Sequence, residues 1–187
     1  MHRSQLLLLI QRYKDNFPEE NVVSDRLLRF VKGNEDCFER SLQAGHITGS
    51  AWVIDEHGEK TLLTHHRKLN NWFQPGGHAD GDNDVSRVAM REAREETGLK
   101  NLFLVNEHIF DIDIHAIPAR KDEPKHYHYD CRFLIRCVGD HSYKVSEESH
   151  DLAWVVMVDI ESVTKEKSIL RMVEKSGKIK RGFLSDF

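Results

Sequence analysis

The chain has 187 residues, 39% hydrophobic and 31% charged, with a formal net charge of −4. That suits one globular domain with modest extensions, and the acidic balance argues against broad nucleic-acid binding while leaving room for a small polyanionic ligand. Cys37, Cys131 and Cys137 are odd in number and form no CxxC pair, which argues against a disulfide framework and favours a reducing, cytoplasmic setting.

Residues 4–16 are expected to form a helix, with Leu6, Leu9, Ile10 and Tyr13 spaced for one face. The apolar run Leu6 to Ile10 is short and is followed at once by Gln11, Arg12, Lys14 and Asp15, so it reads as an amphipathic helix and not as a secretory signal. Pro18 breaks it. A second helix is predicted over 22–32, with Leu27, Leu28 and Val31 on one side, and a third, shorter one over 36–43. Residues 1–44 are therefore expected to be a helical extension packed on the core, and residues 45–187 the main domain.

After Gly45 the texture changes. Strands are predicted at 47–54 and 60–65 around a turn at 56–59, which is a hairpin signal. Residues 69–78, with Asn70-Asn71, Pro75 and Gly76-Gly77, read as a loop. A helix follows over 84–97, with Gly98 as its natural C′ residue. Residues 102–117 are β-like, 118–124 a polar loop, 127–138 and 152–158 strands, and 160–175 helical. No repeat is visible, and nothing approaches the length of a membrane span. Strands on both sides of a central helix, with helices at both ends, point to a mixed α/β sandwich.

The segment that carries chemistry is the helix after Gly77. Glu92, Glu95 and Glu96 stand at i, i+3 and i+4, so their carboxylates converge. Three hard oxygen donors there would suit Mg²⁺. The competing reading is a solvated, charged helix face. At roughly 100° per residue, however, Val85, Val88 and Ala89 share a face with the three glutamates, while Arg87, Arg91 and Arg94 lie on the other side. Carboxylates that continue an apolar stripe need a partner, because an unpaired buried charge is costly. On the residues alone both readings stand.

Gly77, five residues, Asn83, seven residues, then Arg91-Glu92-Ala93-Arg94-Glu95-Glu96-Thr97-Gly98-Leu99 resembles the Nudix box. The spacing matches throughout, and Asn83 replaces the first Glu of the family pattern. The approach Trp72-Phe73-Gln74-Pro75-Gly76 and the later Trp154-Val155 strand, with Glu147 and Glu148 before it, are similar to the family as well. The resemblance covers about residues 46–160. It implies a Nudix-like mixed α/β/α sandwich with an N-terminal helical extension, and a Nudix-type hydrolase. Such an enzyme cleaves a diphosphate bond in a nucleoside diphosphate linked to another moiety, using Mg²⁺ (or Mn²⁺) and water. Carried over, Glu92 and Glu96 are the main metal ligands, Glu95 a further ligand or a water holder, and the Gly76 carbonyl completes the shell. Arg91 orients the carboxylates, one helical turn before Glu95 and in reach of an ion pair with it. The general base is Glu92 or a loop acid, Glu147 or Glu148.

On the substrate side the candidates are Arg67, Gly77, His78, Arg120 and His128, with Lys68, Lys121 and Arg132 as further cations. Trp72 and Phe73 are candidates for base stacking or for packing. Of twelve histidines, His126 and His128 alternate at a strand start, with His115 nearby. Phosphate contact or proton transfer is one reading for them, and zinc is a weaker one for want of the usual Cys/His spacing. Asn83 can accept a hydrogen bond or cap the helix, with Asp82 and Asp84 beside it. Two other functions compete: a catalytically weak or inactive Nudix-like nucleotide-binding module, and an isomerase of isoprenoid diphosphates, which needs a reactive cysteine. The expected partner is a small nucleotide-like diphosphate, without nucleic acid or membrane, and the chain is expected to be a monomer or a homodimer.

Overall fold

Helix α1 (Ser4–Asn16) buries Leu6, Leu9, Ile10 and Tyr13, the four residues that the sequence spacing puts on one face. A single 3-10 turn at Pro18–Glu20 leads into α2 (Asn21–Gly33), which buries Leu27, Phe30 and Val31. Each such aliphatic side chain contributes about 1.5–3 kcal/mol when fully buried. The computed structural model describes residues 2–67, 69–119, 124–147 and 149–180.

The third helix expected over 36–43 is not formed; the segment is a run of turns. Its hydrogen bonds join Glu39 N to Asp36 O at 2.9 Å and Leu42 N to Glu39 O at 3.2 Å. The carbonyls a helix would need are used elsewhere. Cys37 O accepts from Ile47 N at 2.8 Å, and Phe38 O from Gly81 N at 3.0 Å. Arg40 also pairs with Asp80. The segment therefore straps the loop that precedes the box helix.

The strands are β1 (Gly45–Ile54), β2 (Lys60–His66), β3 (Asn71–Phe73), β4 (Gly76–His78), β5 (Leu102–Leu104), β6 (Asp111–Ile117), β7 (His126–Cys137) and β8 (Ser149–Val156). Two of them, β3 and β4, lie where a plain loop is expected, and the predicted 102–117 segment is split into β5 and β6. The hairpin expected between β1 and β2 is present, its turn closed by Asp55 Oδ1, which accepts from Glu59 N at 2.7 Å and Lys60 N at 3.0 Å. Helix α3 (Val85–Thr97) follows β4, and α4 (Lys167–Lys180) ends the described chain after a 3-10 segment at Met157–Ser162.

All strands belong to one mixed sheet. β1 and β7 pair in parallel, and the other pairs are antiparallel. Alternation along β1 sends Ile47, Ala51 and Val53 into a core shared with α1, α2 and α3, and Trp52 and Ile54 into a second core with Ile169 and Met172 of α4. The result is a three-layer α/β/α sandwich. The N-terminal helices are part of the first core, and Phe30 stacks on Tyr129 of β7 with ring centroids 3.7 Å apart.

A buried ionic network closes the edge beyond β6. Asp111, fully buried, takes two bonds from Arg171, at 2.8 and 2.7 Å, one from Lys175 at 2.7 Å and one from Arg132 at 3.2 Å. Lys175 also reaches Glu20 at 2.8 Å and the Tyr13 hydroxyl at 2.6 Å, and Tyr13 donates to Glu20 at 2.6 Å. The network thus joins α1, the Pro18–Glu20 turn, β6, β7 and α4. Burial alone raises the Asp111 carboxyl pKa, but the hydrogen bond from Arg171 and the charges of Lys175 and Arg132 outweigh it, so the group ends below the usual carboxylate value.

Because its folded pKa is depressed, Asp111 stabilises the fold above the unfolded carboxylate value, and that stability is lost as pH falls through the folded one. Asp111→Asn is expected to cost about 3–5 kcal/mol at neutral pH by urea denaturation, since it strands buried cations. The gap to wild type should narrow below about pH 4. A gap that stays constant with pH would remove Asp111 from its place at the centre of the network.

Candidate active site

Helix α3 begins at Asp84, whose carboxylate accepts from Arg87 N at 3.1 Å and Ser86 Oγ at 2.7 Å. It ends at Gly98, left-handed at φ 69°, the C′ residue expected from sequence. Capping is the work of Asp84, so Asn83 is not the cap. Asp82 does not join the glutamates either: it binds Arg87 on the exposed side, and that hydrogen bond, the largest influence on it, holds its pKa below the usual value.

The helix lies close to the sheet because glycines face it. A Cβ on Gly49 of β1 would sit 2.8 Å from the Val85 carbonyl. A Cβ on Gly77 of β4 would sit 2.5 Å from the Glu92 carboxylate. Glu92 is accordingly recessed, its side chain 16% exposed. Glu96 accepts from the backbone N–H of Gly76 at 2.8 Å. Both carboxylates rest against β4, as the wheel predicts. Glu95 stands at the rim of that face and is exposed.

Glu92, Glu95 and Glu96 line one pocket together with Ser146. The Ser146 hydroxyl is buried there without a hydrogen-bond partner among the described residues. Converging carboxylates beside an orphan hydroxyl form an all-oxygen donor set, which fits a hard dication. Arg91 donates to Glu92 at 2.7 Å and, from the same nitrogen, to the His78 carbonyl at 2.9 Å. The ion pair expected with Glu95 is made with Glu92 instead, because this second bond draws the guanidinium toward β4.

The other predicted residues divide. Arg67 is exposed and donates to the Ser149 carbonyl at 3.0 Å, which ties it to the loop carrying Ser146 and the exposed Glu147. Lys68, Arg120, Lys121 and Glu148 lie outside the described residues. Arg132 cannot serve a phosphate: its side chain is 3% exposed and is held by Asp130 at 2.8 Å and by Asp111 at 3.2 Å. Trp72 is half-buried and stacks on His65 with centroids 5.0 Å apart. The three cysteines are free and buried, and burial pushes their thiols up, Cys37 to about 11. None has the setting of the reactive cysteine that an isomerase needs.

The side chains of His78 and His128 come together on the face of the sheet opposite α3, by alternation from Gly77 and Gly49, with a third residue that the sequence did not single out, His46. Its ring centroid is 4.9 Å from that of each. His46 sits opposite His128 in the parallel β1–β7 register, and His78 opposite Thr48 on β4. Burial and then the neighbouring histidines lower the pKa of His46 to about 4 and of His128 to about 2, so both rings are neutral near pH 7. No periodicity in the chain marks a residue that becomes a neighbour only through strand pairing.

The NUDIX domain family matches residues 46–175. A human protein named Nucleoside diphosphate-linked moiety X motif 6 is 43% identical over 63 residues, which span 32% of this chain and 20% of that protein. Among solved structures, an Ap4A hydrolase binary complex from C. elegans aligns with a TM-score of 0.59 at 18% identity, over 73% of this chain and 98% of that one. A NUDIX family hydrolase from Clostridium perfringens aligns with a TM-score of 0.55 at 23% identity, over 72% and 97%. At these identities the structural likeness is one of fold. The family match spans the sheet, the box helix and most of α4, and the chain belongs to the NUDIX domain family.

Proposed function

We propose that this chain hydrolyses a diphosphate linkage in a nucleotide-like small molecule. The observation that carries the reading is the single pocket formed by Glu92, Glu95, Glu96 and Ser146, with Glu92 and Glu96 braced against the glycine strand. A diphosphate repels an incoming hydroxide, and a Mg²⁺ or Mn²⁺ ion, when bound, neutralises that charge and polarises the phosphorus. Glu92 and Glu96 are the proposed main ligands, with Glu95 and the Gly76 carbonyl completing the set.

Arg91 has a positioning role. It holds the Glu92 carboxylate and, through the His78 carbonyl, fixes that carboxylate relative to β4. The proton of the attacking water goes to Glu92 or to an acid of the loop before β8, where Glu147 neighbours the pocket-lining Ser146 and Glu148 is its alternative. Arg67, tied to the same loop, and the backbone of Gly77 are the proposed phosphate contacts, with Arg120 a further cation for the same role. The names of the relatives suggest a substrate in which a nucleoside diphosphate is joined to another moiety, and dinucleoside polyphosphates head the panel to be tried.

Incubation with Mg²⁺ and such a panel, read by mass spectrometry, is expected to release a nucleoside monophosphate or phosphate. In ¹⁸O-water one product should carry the label. Glu92→Gln and Glu96→Gln should each lower kcat by about 100-fold or more. Full turnover in both would refute the assigned ligands, and tight binding without turnover would make the chain a nucleotide-binding module.

Gly77→Ala provides an independent check on the geometry. Its methyl would press on the Glu92 carboxylate, at 2.5 Å. Pushing the carboxylate aside by about 1 Å is expected to lower kcat by about 100-fold while the circular dichroism spectrum is unchanged. Unaltered kcat would show that the strand does not brace the carboxylate.

A further inference from the structure

We propose that His46, His78 and His128 form a second metal site, for a nitrogen-preferring transition-metal dication such as Zn²⁺, with His126 as the fourth ligand. This site is separate from the glutamate pocket and does not rest on the hydrolase reading.

The three histidines come from β1, β4 and β7, and one ligand atom from each lies within 4.8 Å of the others. His46 is 4% exposed, yet neither of its ring nitrogens has a hydrogen-bond partner among the described residues. A buried imidazole with both nitrogens unsatisfied is costly, and a cation would take up its free lone pair. The rings do not stack face to face: His46 meets His78 at 47° and His128 at 50°, and His78 meets His128 at 85°.

His126 has the arrangement expected of a ligand. Its Nδ1 is 2.9 Å from the Pro124 carbonyl, which can only accept, so Nδ1 donates and Nε2 is the ring nitrogen turned toward His128. Donation of the distal N–H to a backbone carbonyl is the usual support for a metal-bound histidine. That Nε2 is 3.4 Å from His128 Nε2. Tetrahedral Zn²⁺ with bonds of about 2.0–2.1 Å has nitrogen–nitrogen edges of roughly 3.4 Å. Small side-chain rotations would close the wider spread of the other pairs. An all-imidazole set suits Zn²⁺, Ni²⁺, Cu²⁺ or Fe²⁺ and not Mg²⁺, which keeps oxygen ligands, so the two sites would not compete for one ion.

The consequence is structural. β4 carries His78 and, two residues earlier, Gly76, whose N–H holds Glu96. A metal tying β4 to β1 and β7 would fix the strand on which the box glutamates rest.

The full chain, stripped of metal, should be titrated with Co²⁺. One equivalent is expected to give the intense visible absorption of a tetrahedral nitrogen site, displaced by Zn²⁺ but not by millimolar Mg²⁺. The band should persist in Glu92→Gln, and Co²⁺ affinity should fall by about 10-fold or more in His78→Gln and His128→Gln. X-ray absorption at the zinc edge of the wild-type protein should show three or four nitrogen ligands, and it decides the matter even if a variant fails to fold. Absence of a stoichiometric band, a ligand set dominated by oxygen, or unchanged affinity in folded histidine variants would each overturn the proposal.

Discussion

β1 and β7 lie side by side in parallel from Gly45 opposite Tyr127 to Ile54 opposite Arg136. This one register decides which residues become neighbours. On one face it sets Ile47, Ala51 and Val53 beside Tyr129, Phe133 and Ile135, in the core shared with α1, α2 and α3. On the other it aligns His46 with His128, Thr48 with Asp130 and Ser50 with Arg132. A slip of one residue would exchange the two faces and send the polar row into the aliphatic core.

The polar row is satisfied almost throughout. Asp130 accepts from Thr48 at 2.9 Å, Ser50 at 2.7 Å and Arg132 at 2.8 Å. Arg132 passes the connection to Asp111, and from there α4 and the Pro18–Glu20 turn are joined. Complete pairing matters here, because a charge left single in such a setting costs several kcal/mol. The exception is the histidine end of the row, where His46 has no partner among the described residues. An unsatisfied group beside a satisfied network is where a ligand is most reasonably sought.

Close approach is the second constraint. β1 pairs with β4 only through Thr48, Gly49 and Ser50, and Gly49 and Gly77 leave no room for a side chain between sheet and helix. That lets α3 settle deeply enough for Glu92 and Glu96 to touch the strand backbone while Glu95 remains at the rim. The carboxylate pocket is thus set by the absence of side chains opposite it as much as by the glutamates themselves. It explains why Gly76-Gly77, apparently loop residues in sequence, form a short strand.

The amino-acid sequence by itself determined α1, α2 and α3, the β1–β2 hairpin and the glutamates as a candidate metal set, because periodicity, capping residues and fixed helical spacing are local properties. The α/β/α layer order followed only from the resemblance to the Nudix family, and the helix expected over 160–175 is a 3-10 segment followed by α4. The 36–43 segment escaped it, since carbonyls claimed by Ile47 and Gly81 override a helical tendency that the chain shows locally. Helix geometry makes Glu95 a partner in reach of Arg91, and only the placement of β4 turns the guanidinium to Glu92. Arg132 looked free until β6 and α4 surrounded it. The histidine cluster was decided by tertiary structure alone. Its members lie on three strands up to 82 residues apart, and parallel pairing across such a distance leaves no period in the sequence to read.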